Sequence, residues 1–319
     1  MTAAFDRRAI PAHARETHWQ AADGHAIRRI DWPARAATPR GSILLLPGRG
    51  DHYEKYLETC EDWHREGWHV TAVDWRGQGG SGRLGKDATT GHVRDFAVWL
   101  DDIEALWRDW CARTPAPHVL AGHSMGGHLA LRAVAERRVR PAALVLVAPM
   151  LGMAGPPLPL PVLQAIAGFM TRIGAPTRPA WKWSEKPGEI PAAREALLTH
   201  DPLRYADELW WREQRPELVM GPGSWGWVER AYASSRALFA RGVLESVTVP
   251  VLMVATTADR LVKFAAIARA CARMPDCELV RFGPEARHEI LREADPVRGR
   301  AMAAIADFLD RHAAPVAPA

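Results

Sequence analysis

Six short runs of unalternated apolar residues recur along the chain: Ser42 to Leu46, His69 to Asp74, His118 to Gly122, Ala143 to Ala148, Val249 to Ala255 and Glu278 to Phe282. Runs of this kind suit strands buried on both faces of a sheet. Between them lie segments with helical spacing of apolar positions: Tyr53 to Glu66, Phe96 to Arg113, Gly126 to Arg137, Val262 to Met274 and Pro296 to His312. Strands alternating with helices predict a mostly parallel sheet covered on both sides. Ahead of them, His18 to Gln20 and His25 to Trp32 flank Asp23-Gly24 and read as an antiparallel hairpin at one edge.

The alternation stops between about Leu151 and Val247, where Pro, Trp and Arg accumulate without a strand-like run. The expected organisation is a core in two parts, residues 1–150 and 247–319, with residues 151–246 inserted as a helical cap. Within the insert, Val162, Ile166, Phe169 and Ile173, widened by Leu163 and Met170, recur at the helical period and predict an apolar face packed on the sheet domain. The tail Ala313 to Ala319 reads as frayed.

Composition narrows the class. The chain has 319 residues, 48% of them hydrophobic and 24% charged, as in an ordinary globular protein. Forty-one Lys and Arg against 37 Asp and Glu leave a net charge of +4, with no lysine-rich block or basic helix, so nucleic acid is not an expected partner. The basic N-terminal stretch (Arg7, Arg8, Arg15, Arg28, Arg29) reads as a solvated tail, with contact to an anionic membrane surface as its functional counterpart. Cys60, Cys111, Cys271 and Cys277 lack metal-ligand spacing and favour reduced thiols in a cytoplasmic protein. The first residues lack an apolar signal region, and prolines break the most apolar later stretch, so neither a signal peptide nor a membrane span is expected.

Candidate chemistry starts at Gly122-His123-Ser124-Met125-Gly126, which matches G-x-S-x-G with a strand before it and a helix after it. A serine hydroxyl needs a base, and an imidazole base needs an acid to fix its tautomer. Asp259 follows the Val249 to Ala255 run and His288 follows the last run, which places both at the carboxyl edge of the sheet in the order Ser, Asp, His. Asp276 is the competing acid, but it precedes a strand. The backbone N–H of Met125 and of Arg49, in Pro47-Gly48-Arg49-Gly50, form the expected oxyanion hole. His123 is expected to pack beside the serine.

Two other patterns fail on context. Gly77 to Gly82 spells G-x-G-x-x-G without a following helix, and His288 to Arg292 lacks the second histidine of H-E-x-x-H. Neither cofactor nor metal is expected.

On these residues the chain resembles the serine α/β-hydrolases of the monoacylglycerol lipase and lysophospholipase group. That group carries a GHSMGG elbow, a DxRGxGxSxR loop (here Asp74 to Arg83) and an ARHEIL-type histidine segment (here Ala286 to Leu291). Bacterial members also carry versions of LPGRGDHYEKY (46–56), GHVRDFAVWLDDIEALW (91–107) and APMLGM (148–153). Many relatives start the oxyanion loop with His-Gly where this chain has Pro47-Gly48. The resemblance implies an α/β-hydrolase fold and hydrolysis of single-chain lipid esters, lysophospholipid or monoacylglycerol, through an acyl-enzyme.

Six of the 14 tryptophans fall in the insert, and Trp181, Trp211 and Trp227 are the candidates for lining an acyl channel. A small-ester carboxylesterase is one alternative. Another is an aminopeptidase or amidase, whose grip on a substrate ammonium would come from Glu185, Glu189, Glu213 or Glu217; a non-catalytic ligand-binding module is the third.

Overall fold

In a computed structural model, residues 5–34, 39–182 and 192–314 are described. Eight strands form one sheet in the order β1-β2-β4-β3-β5-β6-β7-β8. They are β1 (Arg15–Gln20), β2 (Ala26–Trp32), β3 (Gly41–Leu46), β4 (Trp68–Val73), β5 (His118–His123), β6 (Ala143–Val147), β7 (Val251–Thr256) and β8 (Cys277–Phe282). The pairs β1/β2 and β2/β4 are antiparallel and all others parallel. The N-terminal hairpin forms because Gly24 takes φ +81° and Asp23 Oδ1 accepts the His25 N–H, closing the turn.

The four central runs are buried on both faces because helices cover both. Leu44, Leu46, Leu120, Leu144 and Met253 pack on one side against α2 (Ala97–Cys111), α3 (Met125–Ala135) and α8 (Phe264–Cys271). Ile43, Leu45, Val119, Val145 and Val254 pack on the other side against α1 (Leu57–Arg65) and α9 (Asp295–His312). The alternation of neighbouring residues between the two clusters is the period-2 geometry of a strand. The last run departs from expectation: β8 closes the sheet, so it has one neighbour, and most of its residues are only partly buried.

The connection after β3 runs to β4 on one side and the connection after β5 runs to β6 on the other, which opens a crevice at the carboxyl ends of β3 and β5. Between β6 and β7 lie α4 (Leu160–Arg172), α5 (Ala192–Leu198), α6 (Pro202–Gln214) and α7 (Trp225–Leu238), with no sheet strand among the described residues. Asp201 caps α6 by accepting from Leu203 N and Arg204 N, with Pro202 in the first turn. Ser224 caps α7 by accepting from Trp227 N.

Three expectations are corrected. On α4, Val162, Ile166, Phe169 and Ile173 face outward, with Phe169 60% exposed; Leu163 and Ala167 are the buried residues of the helix, which packs on α7. The periodicity finds a stripe but does not say which side is covered. The N-terminal arginines are not a solvated tail. Arg28 is buried, with Nη1 and Nη2 each 2.8 Å from a Glu54 oxygen and Nε 2.8 Å from Asp74 Oδ2, while Arg7 and Arg8 both pair with Asp207 of α6. Cys271 and Cys277 are joined by a disulfide, because the end of α8 and the start of β8 bring their Cα atoms to 5.4 Å, so only Cys60 and Cys111 are free thiols. The tail beyond residue 314 lies outside the described residues. Among the described residues, no helix is long and apolar enough to cross a membrane.

Candidate active site

The turn between β5 and α3 places Ser124 at φ 51°, ψ −114°, a strained region for a residue with a Cβ. Two glycines make it possible. A Cβ on Gly126 would stand 2.2 Å from the Leu46 carbonyl oxygen, and one on Gly122 would stand 2.7 Å from the Gly126 backbone, so β3, β5 and α3 converge here only with hydrogen at both positions. The Ser124 N–H donates to the Val147 carbonyl at 3.0 Å, and its own carbonyl accepts from His128 N and Met150 N.

The loops after β7 and β8 bring the two distant partners to this turn. His288 Nε2 lies 3.0 Å from Ser124 Oγ, and Nδ1 lies 2.7 Å from Asp259 Oδ2. With a carboxylate at Nδ1, that nitrogen carries the proton and donates, which leaves Nε2 to accept from the serine hydroxyl. Asp259 Oδ1 accepts from Leu261 N at 2.8 Å and Val262 N at 3.0 Å, which aims the other oxygen at the imidazole. Burial pushes the Asp259 carboxyl up, but His288 and these two amides outweigh it and hold the acid below its ordinary value. An ionised, oriented carboxylate behind an imidazole that faces a hydroxyl can support general-base activation of that hydroxyl. Asp276 is elsewhere: its carbonyl accepts from Val251 N at the opposite end of β7.

The expected oxyanion loop lies against the serine. A Cβ on Gly48 would be 3.3 Å from Ser124 Cβ, and Gly48 and Arg49 both line the cavity in front of it. His123 packs beside the serine as expected, its Nδ1 2.8 Å from Tyr56 Oη and its Nε2 3.3 Å from the His288 carbonyl.

Ser124 and His288 open onto a cavity of about 570 Å³ whose walls are mainly apolar. Val262 comes from the loop after β7; Met150, Met153, Leu158, Leu163, Ile166, Trp181, Trp225, Trp227 and Tyr232 come from the segment between β6 and β7. The Arg49 guanidinium sits 5.1 Å from the ring centres of both Trp181 and Trp227, and its Nη2 donates to Gly221 O at 2.8 Å. Of the three candidate tryptophans, Trp211 is corrected: it does not line the cavity. It is buried in the core cluster shared with α1 and α9, and its Nε1 donates to the Arg7 carbonyl at 2.9 Å, because its face of α6 turns toward Arg7 and the turn that holds Glu54 and Lys55. Glu213 and Glu217 are exposed and outside the cavity lining, and Glu185 and Glu189 lie outside the described residues. Among the described residues no cluster of His, Cys, Asp or Glu could hold a metal.

Sequence reasoning missed the supports of the expected oxyanion loop. Gly48 N donates to Asp51 Oδ2 at 3.0 Å and Gly50 N to Gln78 Oε1 at 2.7 Å. Gln78 sits inside the G-x-G-x-x-G stretch, whose glycines wrap Asp74: a Cβ on Gly79 would be 2.3 Å from Asp74 Oδ2. The signal was a polar residue amid glycines, which nothing but folding connects to residue 50.

Comparison with known proteins agrees with this architecture. Lysophospholipase L2 of Escherichia coli K12 is 28% identical over 292 residues, covering 86% of this chain and 81% of that one. A monoacylglycerol lipase of Mycolicibacterium smegmatis is 30% identical over 140 residues, covering 42% of this chain and 46% of that one. Among solved structures, a soluble variant of Saccharomyces cerevisiae monoglyceride lipase superposes with a TM-score of 0.75 at 18% identity, covering 97% of this chain and 99% of that one, which supports the α/β-hydrolase fold. The family model Hydrolase_4, described as serine aminopeptidase, S33, matches residues 37–295, and the chain therefore belongs to that family of α/β-hydrolases.

Proposed function

We propose that the chain is a serine hydrolase that cleaves single-chain lipid esters, such as lysophospholipids or monoacylglycerols, through an acyl-enzyme. The observation that carries this reading is the unbroken line from Asp259 through His288 to Ser124 at the floor of an apolar cavity. Ser124 Oγ attacks the ester carbonyl carbon while His288 Nε2 takes its proton, and the N–H groups of Met125 and Arg49 receive the oxyanion. The tetrahedral intermediate collapses, the C–O bond to the alcohol breaks, and His288 returns the proton to the leaving oxygen. Water, deprotonated by the same nitrogen, then releases the fatty acid and restores the serine.

The lipid reading rests on the names of the relatives and on the cavity, whose size and apolar walls suit one acyl chain. Residues 151–246 act as a cap that selects the substrate, over a core made of residues 1–150 and 247–319. The exposed face of α4 leads from the surface to the cavity, since Ile166 belongs to both, and with Arg172 in its last turn it suits peripheral contact with an anionic lipid surface. A cytoplasmic place at the inner face of the membrane fits that contact; the argument from four reduced thiols drops out with the Cys271–Cys277 bond.

Fluorophosphonate labelling tests the chemistry, and a panel of lysophospholipids, monoacylglycerols, short esters and aminoacyl anilides tests the substrate. The expected result is one label on Ser124, absent in Ser124→Ala, with turnover of the lipid esters above the rest. Preferred turnover of the anilides would establish an amidase instead, and absence of label would leave a binding module.

A further inference from the structure

One buried charged cluster has no part in the chemistry above. Directly behind the cavity floor, the Lys55 ammonium is fully enclosed, 2.6 Å from Asp51 Oδ1, 2.5 Å from Glu289 Oε1 and 3.1 Å from Glu208 Oε2. Arg292 pairs with Glu208 at 2.8 Å and with Glu289, and Arg212 pairs with Glu208 at 2.6 Å, so three cations face the three acids. Taking such groups out of water costs several kcal/mol per ion, and apolar side chains of similar volume would fill the space without that cost. Packing alone therefore does not account for the cluster.

Its geometry points at the active site. Asp51 holds Lys55 with one oxygen; with the other it accepts from Gly48 N at 3.0 Å and from Tyr56 Oη at 2.6 Å, 3.3 Å from His123 Nδ1. His123 immediately precedes the serine and touches the His288 carbonyl; Glu289 immediately follows His288. Gly48 has no room to shift inward: a Cβ there would be 2.6 Å from Asp51 Oδ2 and 3.0 Å from His123 Nδ1. The Arg49 peptide is bracketed, with the N–H before it held by Asp51 and the N–H after it held by Gln78.

We infer that Asp51 is a positioning residue: held by Lys55, it fixes the Pro47 to Gly50 loop against Ser124 so that the Arg49 N–H meets the oxyanion. It takes the place of a support from the loop's own first residue, which here is Pro47 and has no side-chain donor or acceptor. This rests on the ester-hydrolase reading above. The carboxylate is ionised in place: burial pushes Asp51 up, and Lys55 and His123 together bring it well below the ordinary value.

The test is steady-state kinetics on paired oxoester and thionoester substrates. Sulfur accepts hydrogen bonds poorly, so the oxo/thiono ratio of kcat/KM reads the oxyanion hole itself, while a loss of folded protein lowers both rates together and leaves the ratio unchanged. Asp51→Ala should lower kcat on the oxoester by about 10² to 10³, the size of losing one oxyanion donor, with KM nearly unchanged and a collapsed ratio. Asp51→Asn, which keeps a neutral acceptor for Gly48 N, should recover part of both. Gln78→Ala should move the ratio the same way by less, and it keeps the test decisive if Asp51→Ala does not fold. An unchanged ratio in Asp51→Asn and Gln78→Ala, or a loss confined to KM, overturns the proposal. Full activity in Ser124→Ala would instead overturn the underlying mechanism, so the two failures are distinct.

Discussion

The carboxyl edge of the sheet and the segment above it solve different problems. At the edge, Ser124, Asp259 and His288 are held by backbone amides, by glycines that admit no side chain, and by buried ion pairs. Above it, Leu158, Leu163, Ile166, Trp181 and Trp227 form an apolar wall on α4, α7 and the loops beside them, and α4 leaves Val162, Phe169 and Ile173 uncovered. Chemistry demands directional contacts, whereas an acyl chain demands only area and shape. The edge should therefore govern rate with every substrate, and the segment above it should govern which substrate is used.

The largest effect belongs to the edge. Ser124→Ala should lose about six orders of magnitude in kcat, whatever the acyl length, while far-UV circular dichroism and Tm stay close to wild type. Retention of a few per cent activity by cleanly purified protein would move the nucleophile elsewhere. Asp259→Asn should lose about four orders by leaving His288 in the wrong tautomer. Asp276→Asn, at the far end of the sheet, should be nearly silent, and a larger loss there than at Asp259 would refute the assignment.

Trp211 sharpens the contrast, since it lies in the inserted segment and yet packs in the core. Trp211→Ala should cost about 3–5 kcal/mol of stability in denaturant titration and leave the substrate preference of the folded protein unchanged. A changed preference at unchanged stability would return it to the cavity.

Acid should act on the buried pairs before it acts on the apolar wall. Glu208 and Glu289 are held below the usual carboxylate range because paired cations outweigh the upward push of burial, Asp51 likewise by Lys55 and the His123 hydrogen bond, and Glu54 at about 2 by the His52 hydrogen bond together with Arg28. Groups depressed on folding contribute stability above their unfolded values of about 4 and lose it as pH falls through their folded values. Asp74 works the other way, raised chiefly by burial. Tm should thus fall steadily from about pH 5 downward; a Tm constant to pH 3 would mean that these pairs contribute nothing net.

Legibility in the sequence follows the same division. The core strands were readable because burial on both faces demands unbroken apolar runs, and the hydrogen-bonded line of Asp259, His288 and Ser124 because each member sits just after such a run. β8 misled because Leu279, Val280 and Phe282 outweighed Glu278 and Arg281 in the reading, although those two charges suit the partly exposed edge strand that the topology makes it. Asp51, Lys55 and Gln78 were unreadable in their roles: Asp51 and Lys55 are neighbours at i,i+4, but the groups that bury and balance Lys55, Glu208 and Glu289, come from more than a hundred residues away, and Gln78 meets Gly50 only on folding. In the inserted segment, the period of α4 was visible and its exposed side was not, and Trp181 and Trp211 could not be told apart by residue type.

The division between edge and cap is tested most directly by kcat/KM for a series of monoacyl esters, from acetyl to palmitoyl, each below its critical micelle concentration, with wild type and with Trp227→Ala. Each methylene buried in the cavity is worth up to about 0.8 kcal/mol, or about fourfold. Wild type should climb with acyl length until the cavity is full, and Trp227→Ala should flatten the climb while leaving the acetyl ester within a few-fold of wild type. A profile that is flat or falls from the shortest ester, unaltered by the substitution, would contradict the account.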